Sequence, residues 1–271
     1  MSSLNAPDIK TSCYHCKTSS GESLVLHFVL GYQTEGALQV FDGERTLSIQ
    51  QGSFWLAIKN KLARFAKTPS PGSAYRAMSI TFPDQALLNF GHEFNMISEK
   101  KTPSPPIIVL KEHPLLRNFF DALKMYQQLP DDNTDPLIQL KIKEALIVLL
   151  KCQPELKDVL FDFSEPHKTD LAAFMETNFQ FNLPLSQFAY LTGRSLSGFK
   201  RDFEKHYQTP PSKWLMQKRL EKAHFLLSEK KMKVADVYYE VGFEDVSHFS
   251  FSFKKQYGIS PSALQKEKLR A

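Results

Sequence analysis

The strongest constraint on the fold of this chain is that its C-terminal part repeats itself. At an offset of 50, Phe199 pairs with Phe249, Phe203 with Phe253, Tyr207 with Tyr257, Pro211 with Pro261 and Ser212 with Ser262. A self-match at one fixed offset means that a single supersecondary unit is used twice, so both copies must accept the same local structure. Within each copy the three aromatics stand at i, i+4 and i+8, one face of an α-helix, and a proline follows after a short turn. Each copy therefore predicts a helix with a buried aromatic stripe.

Upstream of each stripe lies a shorter helical pattern. In the first copy Pro184 opens a helix carrying Leu185, Phe188, Ala189 and Leu191, Gly193 breaks it, and Ser195 caps a second helix over 196–206. In the second copy Val234, Val237, Tyr238 and Val241 line the shorter helix, Gly242 breaks it, and Asp245 caps a helix over 246–256. Glycine supplies the left-handed backbone that the turn requires, and the Ser or Asp oxygen satisfies amides at the start of the next helix. Helix, glycine turn and capped helix make a helix-turn-helix pattern. The two copies are joined by a continuous helix over 212–228 carrying Trp214, Leu215, Leu220, Ala223, Leu226 and Leu227. Such a helix spans roughly 25 Å. Major-groove faces on one side of B-DNA recur about every 34 Å, so one chain can place two helices in successive grooves.

Charge follows the same division. Up to residue 165 there are 17 Lys+Arg against 18 Asp+Glu, net −1; from Pro166 onward there are 17 against 11, net +6. The basic surplus belongs to the repeat, as attraction to phosphate requires, although solvated surfaces of other domains carry as much.

The N-terminal part reads differently. Short runs rich in β-formers recur at 23–30, 37–41, 46–50, 54–58 and 75–82, separated by turn signals at Asp42-Gly43 and at Pro69, Pro71 and Gly72. Asp42-Gly43 predicts a type I′ hairpin, and the runs together predict an antiparallel sandwich or small cupin-like barrel, either filled or open to a ligand at its mouth. After the proline-rich break at 102–106 the period becomes helical. Leu115, Leu116, Phe119, Phe120, Leu123 and Tyr126 share one face, residues 131–135 form a polar turn, and Pro136 starts a helix over 137–152. Leu137, Leu140, Ile142, Ala145, Leu146, Val148, Leu149 and Leu150 surround much of that helix, which must pack against its own barrel or against a second copy. The expected class is α+β: a β-rich regulatory domain over 1–110, a helical connector over 111–165 suited to dimerisation, and an all-α domain with tandem helix-turn-helix motifs over 166–271.

A metal-dependent β-barrel enzyme is the competing reading. It needs closely spaced histidines and a carboxylate on neighbouring strands, whereas His15, His27, His92 and His113 are scattered. Cys13, His15 and Cys16 have ligand spacing, but Cys152 is the only other thiol, and two free thiols are the simpler account. No catalytic, metal or cofactor site is therefore expected. No stretch approaches the ~20 apolar residues that cross a bilayer, and the first ten residues lack a signal-like apolar run, so the expectation is a cytoplasmic protein with no membrane partner.

The stretch over 183–271, about a third of the chain, resembles the DNA-binding domain of the arabinose-operon regulator (AraC/XylS) family of bacterial transcription factors. RLEKAHFLL at 219–227 and VGFEDVSHFSFSFKKQYGISPS at 241–262 carry the resemblance. It implies a sequence-specific regulator of promoter DNA, often an activator that recruits RNA polymerase. It further implies an N-terminal domain that senses a small-molecule or protein effector or forms a homodimer. Carried over to this chain, the family's base-reading positions are Ser197, Lys200 and Arg201 in the first copy and Ser247, His248 and Phe251 in the second, with Ser195 and Lys254 beside them. Phe251 departs from the polar or basic residue usual there, so it contacts thymine methyls or packs, and the first helix is expected to carry more of the specificity.

Overall fold

The computed structural model describes residues 8–16, 18–19, 24–100, 102–128 and 136–270, so the polar turn expected at 131–135 lies outside the described residues. The chain divides into two compact units, Met1–Ser164 and Glu165–Ala271.

Among the described residues the first unit contains two larger antiparallel sheets and one two-stranded pair. The larger combines β1 (Asp8–Tyr14), β4 (Phe28–Glu35), β7 (Phe54–Ala57), β10 (Tyr75–Phe82) and β11 (Ile107–Leu110) in the order β1-β10-β4-β7-β11. The smaller combines β2 (Thr18–Ser19), β5 (Ala37–Phe41), β6 (Thr46–Ile49) and β9 (Arg64–Thr68) in the order β2-β9-β5-β6, and β3 (Leu24–Val25) pairs with β8 (Lys61–Leu62). Strand alternation sorts the large sheet's side chains onto two faces. Trp55, Ala57, Tyr75 and Ala77 join Leu38, Val40 and Ile49 of the small sheet in one core. Leu30, Phe54, Leu56, Met78, Ile80 and Phe82 point the other way into a second core. The result is a sandwich with helices on its outer face.

Those helices are α1 (Asp84–Phe94), α2 (Pro114–Leu123), α3 (Pro136–Cys152) and the single turn α4 (Lys157–Leu160). Leu116, Phe119, Phe120 and Leu123 of α2 and Ile138, Ile142, Ala145, Leu146 and Leu149 of α3 share the core of the large sheet. Burying each large apolar side chain there contributes about 1.5–3 kcal/mol. The expected α2 stripe holds only in part. Leu115 is exposed, because it lies one position before the buried Leu116, and Tyr126 falls in a 3-10 turn after the helix. On α3 the outer stripe of Leu137, Leu140 and Ile147 remains exposed.

The turn at Asp42-Gly43 differs from the expected type I′ hairpin. Phe41 pairs with Thr46, which leaves four loop residues, and only Gly43 adopts positive φ. Asp42 Oδ1 accepts from the amides of Glu44 and Arg45 at 3.0 and 2.9 Å. This side-chain turn replaces the backbone turn that two positive φ angles would make.

The second unit holds α5 (Leu171–Asn178), α6 (Leu185–Leu191), α7 (Leu196–Tyr207), α8 (Pro211–Ser228), α9 (Val234–Glu240), α10 (Val246–Tyr257) and α11 (Pro261–Arg270). It has two cores, and α8 serves both. Trp214 and Leu215 pack with Phe188, Phe199 and Phe203, whereas Leu220, Ala223, Leu226 and Leu227 pack with Val237, Phe249 and Phe253.

Candidate nucleic-acid interface

Both turns are built by the same backbone code. After α6, Gly193 at φ +65° donates its amide to Tyr190 O and Arg194 donates to Ala189 O. After α9, Gly242 at φ +91° donates to Tyr239 O and Phe243 to Tyr238 O. This double bond pattern is the Schellman ending, which needs a left-handed residue and therefore favours glycine. Ser195 Oγ then accepts from Gly198 N at 3.2 Å, and Asp245 Oδ1 from His248 N at 2.6 Å. Each oxygen satisfies an amide that would otherwise be orphaned at a helix start.

Four members of the aromatic stripes, Phe199, Phe203, Phe249 and Phe253, are 0% exposed, while Tyr207 and Tyr257 at the helix ends are half-buried. With these side chains anchored, the helical period turns residues two positions either side of Phe199 and Phe249 outward. Ser197, Lys200 and Arg201 are exposed on α7; Ser247, His248, Phe251 and Lys254 are exposed on α10. The Arg201 side chain is 81% exposed, with Nε 3.8 Å from Asp202. Phe251 is 70% exposed, which leaves it unpacked and turned to solvent. His248 lies edge-on to Phe243 with ring centroids 5.5 Å apart. Ser195 is exposed, with its hydroxyl engaged in the cap.

Helix α7 is held by a charged clamp. Arg194 donates Nε to Asp202 at 3.2 Å and a terminal N–H to Thr192 O at 2.7 Å and to Thr169 O at 3.1 Å. Lys168 reaches the same carboxylate at 3.4 Å. The hydrogen bond from Arg194 is the main reason the Asp202 carboxyl is held below its ordinary range, with the nearby Lys168 charge adding to it.

Glu204 and Lys205 were not singled out by sequence reasoning, yet both are exposed on α7 beside Arg201. Their signal was available in the repeat, because Glu204 occupies the position of Lys254 at the offset of 50. A carboxylate there is a hydrogen-bond acceptor suited to cytosine N4 and repelled by phosphate. Among the described residues no group of three or more His, Cys, Asp or Glu side chains could hold a metal, and no helix is long and apolar enough to cross a membrane.

Comparison with known proteins agrees with this geometry at both ends of the chain. Residues 188–267 match the family described as a helix-turn-helix domain, and residues 28–159 match the ExsA N-terminal regulatory domain. The chain is 29% identical over 245 residues to the HTH-type transcriptional regulator ExsA of Pseudomonas aeruginosa, covering 86% of this chain and 84% of that one. It is 26% identical over 255 residues to the virulence regulon transcriptional activator VirF of Yersinia enterocolitica, covering 93% and 91%. Among solved structures, apo ToxT from Vibrio cholerae aligns over 95% of this chain and 96% of that one at 12% identity, with a TM-score of 0.46. Regulators of this kind bind DNA and are not enzymes, so the barrel-enzyme alternative falls. The tandem motifs, the signature residues and the two matched families together place the chain in the AraC/XylS family of DNA-binding transcriptional regulators.

Proposed function

We propose that this chain activates transcription by placing α7 and α10 in successive major grooves of a promoter. One observation carries the reading: two copies of a capped helix, each anchored by fully buried aromatics, present Ser197, Lys200 and Arg201 and Ser247, His248 and Phe251 outward. Lys200 and Arg201 donate to guanine O6 and N7, and Phe251 meets thymine methyl groups. Ser195 and Lys254 face phosphate, Ser195 at a helix start whose free amides suit an anion. VirF is named an activator, which supports activation and a contact with RNA polymerase for this chain too. The work is done where bacterial promoters are, in the cytoplasm.

Residues 166–271 form the DNA-binding domain in this reading, and 1–110 the regulatory domain that receives a small-molecule or protein effector. Residues 111–165 give a homodimer through the outer stripe of α3, where Leu137 is 45% and Leu140 61% exposed. Apolar side chains of this size on one helix face gain by mutual burial in a symmetric pair.

Selection of bound fragments from random duplex DNA, followed by binding at several salt concentrations, tests the reading. The expected result is enrichment of two half-sites about one helical turn apart, with a log–log salt slope reporting several displaced counterions. A pool that stays random after repeated rounds would remove sequence-specific binding.

A further inference from the structure

The two helix-turn-helix motifs are fastened to each other by contacts other than the shared helix. Arg219 sits midway along α8, between Leu215 of the first core and Leu220 of the second. Its guanidinium donates Nε to Phe179 O and a terminal N–H to Phe181 O, both at 2.9 Å. Those carbonyls belong to the segment between α5 and α6, in the first motif's half of the unit. The carbonyl between them, Gln180 O, abuts the second motif's turn: a Cβ on Gly242 would lie 2.5 Å from it and 3.2 Å from Arg219 Nε. Two residues further along, Asn182 Nδ2 donates to Glu244 Oε1 at 2.5 Å.

Chemistry explains the choice of residues. A planar guanidinium directs N–H groups along two fixed vectors, so it can hold two carbonyls of one strap in place; a lysine ammonium, on a flexible stem, fixes neither direction. Glycine at 242 serves twice, by adopting positive φ and by leaving room for the strap to touch the turn. We infer that Arg219 is a positioning residue which, with Gly242 and the Asn182–Glu244 pair, fixes the angle and separation of α7 and α10 and so fixes the half-site spacing this chain accepts. The inference rests on the two-groove reading above.

The test uses the full-length protein and the duplexes recovered by the selection, with one base pair inserted or deleted between the half-sites. A rigid pair of motifs loses simultaneous engagement, so wild-type affinity should fall by at least about 100-fold, the lower end of the range that avidity supplies. In Arg219→Lys, which preserves the charge, the penalty should shrink to below about 5-fold while binding at the original spacing weakens. Glu244→Ala, at an exposed position, should relax the penalty in the same direction by a smaller factor. Spacing tolerance separates positioning from mere stability, because a destabilised but rigid domain weakens on every duplex alike. Unchanged spacing penalties in both variants, with melting temperatures like wild type, would overturn the role of Arg219. If Arg219→Lys fails to fold, Glu244→Ala alone decides. Wild-type protein that binds one half-site as tightly as two would instead overturn the two-groove reading, and this inference with it.

Discussion

The two helix-turn-helix motifs share their local construction and differ in what supports them. Three residues, Thr192, Gly193 and Arg194, separate α6 from the cap of α7, and four, Val241, Gly242, Phe243 and Glu244, separate α9 from the cap of α10. The additional residue is Glu244, the one that bonds to Asn182. The first turn is held from its own side, by residues 167–169 and by Arg194 bound to Asp202 of the helix it precedes. The second is held by the strap of its neighbour. A duplicated local code is therefore compatible with unequal roles: the first motif carries its own clamp, and the second takes its placement from the first. The outward faces diverge in the same way, with Arg201 and Glu204 in one copy standing where Phe251 and Lys254 stand in the other.

The largest effect should come from filling the turns. In Gly193→Val, the new Cβ would lie 2.5 Å from His167 O and Lys168 N, main-chain atoms that cannot yield without moving the chain, at a φ of +65°. We expect a loss of about 3 kcal/mol from left-handed strain and overpacking together. Gly242→Val meets one main-chain carbonyl oxygen at 2.5 Å and Arg219 Nε at 3.2 Å, a looser fit than at Gly193, so about 2 kcal/mol is expected. Urea melts followed through Trp214, which is buried in the first core, measure both. A larger loss at Gly242 than at Gly193 would reverse the assignment of the self-supported turn to the first copy.

Next in size is the division of labour on DNA. Arg201→Ala should cost about 1–3 kcal/mol on the selected duplex and relax preference at one base pair. Phe251→Ala should cost about 1 kcal/mol, roughly one methyl contact, and leave the salt slope unchanged because no charge is removed. Replacing the contacted thymine by uracil deletes that methyl, so the cost of Phe251→Ala should vanish on the substituted duplex. Equal costs on both duplexes would show that Phe251 contributes by some other contact, and a costless Arg201→Ala would strike Arg201 from the base-reading set.

Much of this asymmetry was hidden from the sequence, for identifiable reasons. Both α7 and α10 were legible to within one residue, because aromatic spacing, a turn glycine and a capping oxygen all act within a few positions. Ser197, Lys200, Arg201, Ser247, His248, Phe251 and Lys254 came from the family resemblance, and the helical period that buries Phe199 and Phe249 leaves all of them exposed. The Arg219 strap did not, since it joins segments about 40 residues apart through backbone carbonyls that carry no residue signature. In the first unit, the runs rich in β-formers that make β4, β5, β7 and β10 stood out, whereas β9 reads RFAKT, every residue only half-buried and two of the five charged. Helix α1 was missed although Leu87 and Phe90 are buried at helical spacing and Pro83 and Asp84 mark its start. The outcome at Asp42 shows the same limit, since an aspartate carboxylate that captures two amides competes with the turn that Asp-Gly otherwise favours.

The smallest expected effect sharpens the comparison at the far ends of the same helices. Both α7 and α10 finish in a left-handed residue, but the first uses Gln208 at φ +52° and the second Gly258 at φ +78°. A side chain in that conformation costs about 1 kcal/mol relative to glycine. Gln208 recovers part of it by donating Nε2 to Lys205 O at 2.9 Å. An exposed hydrogen bond of this kind is worth about 0.5 kcal/mol. Gln208→Gly should therefore stabilise the second unit by roughly 0.5 kcal/mol, and Gly258→Gln, at a site with nothing within 4 Å of a new Cβ, should destabilise it by a similar amount. Both residues stand one turn beyond Glu204 and Lys254, past the base-reading positions, so affinity for the selected duplex should stay constant in both. A change in affinity without a change in melting would mean that the helix ends touch DNA, and the boundary of the interface would then have to extend past Lys254.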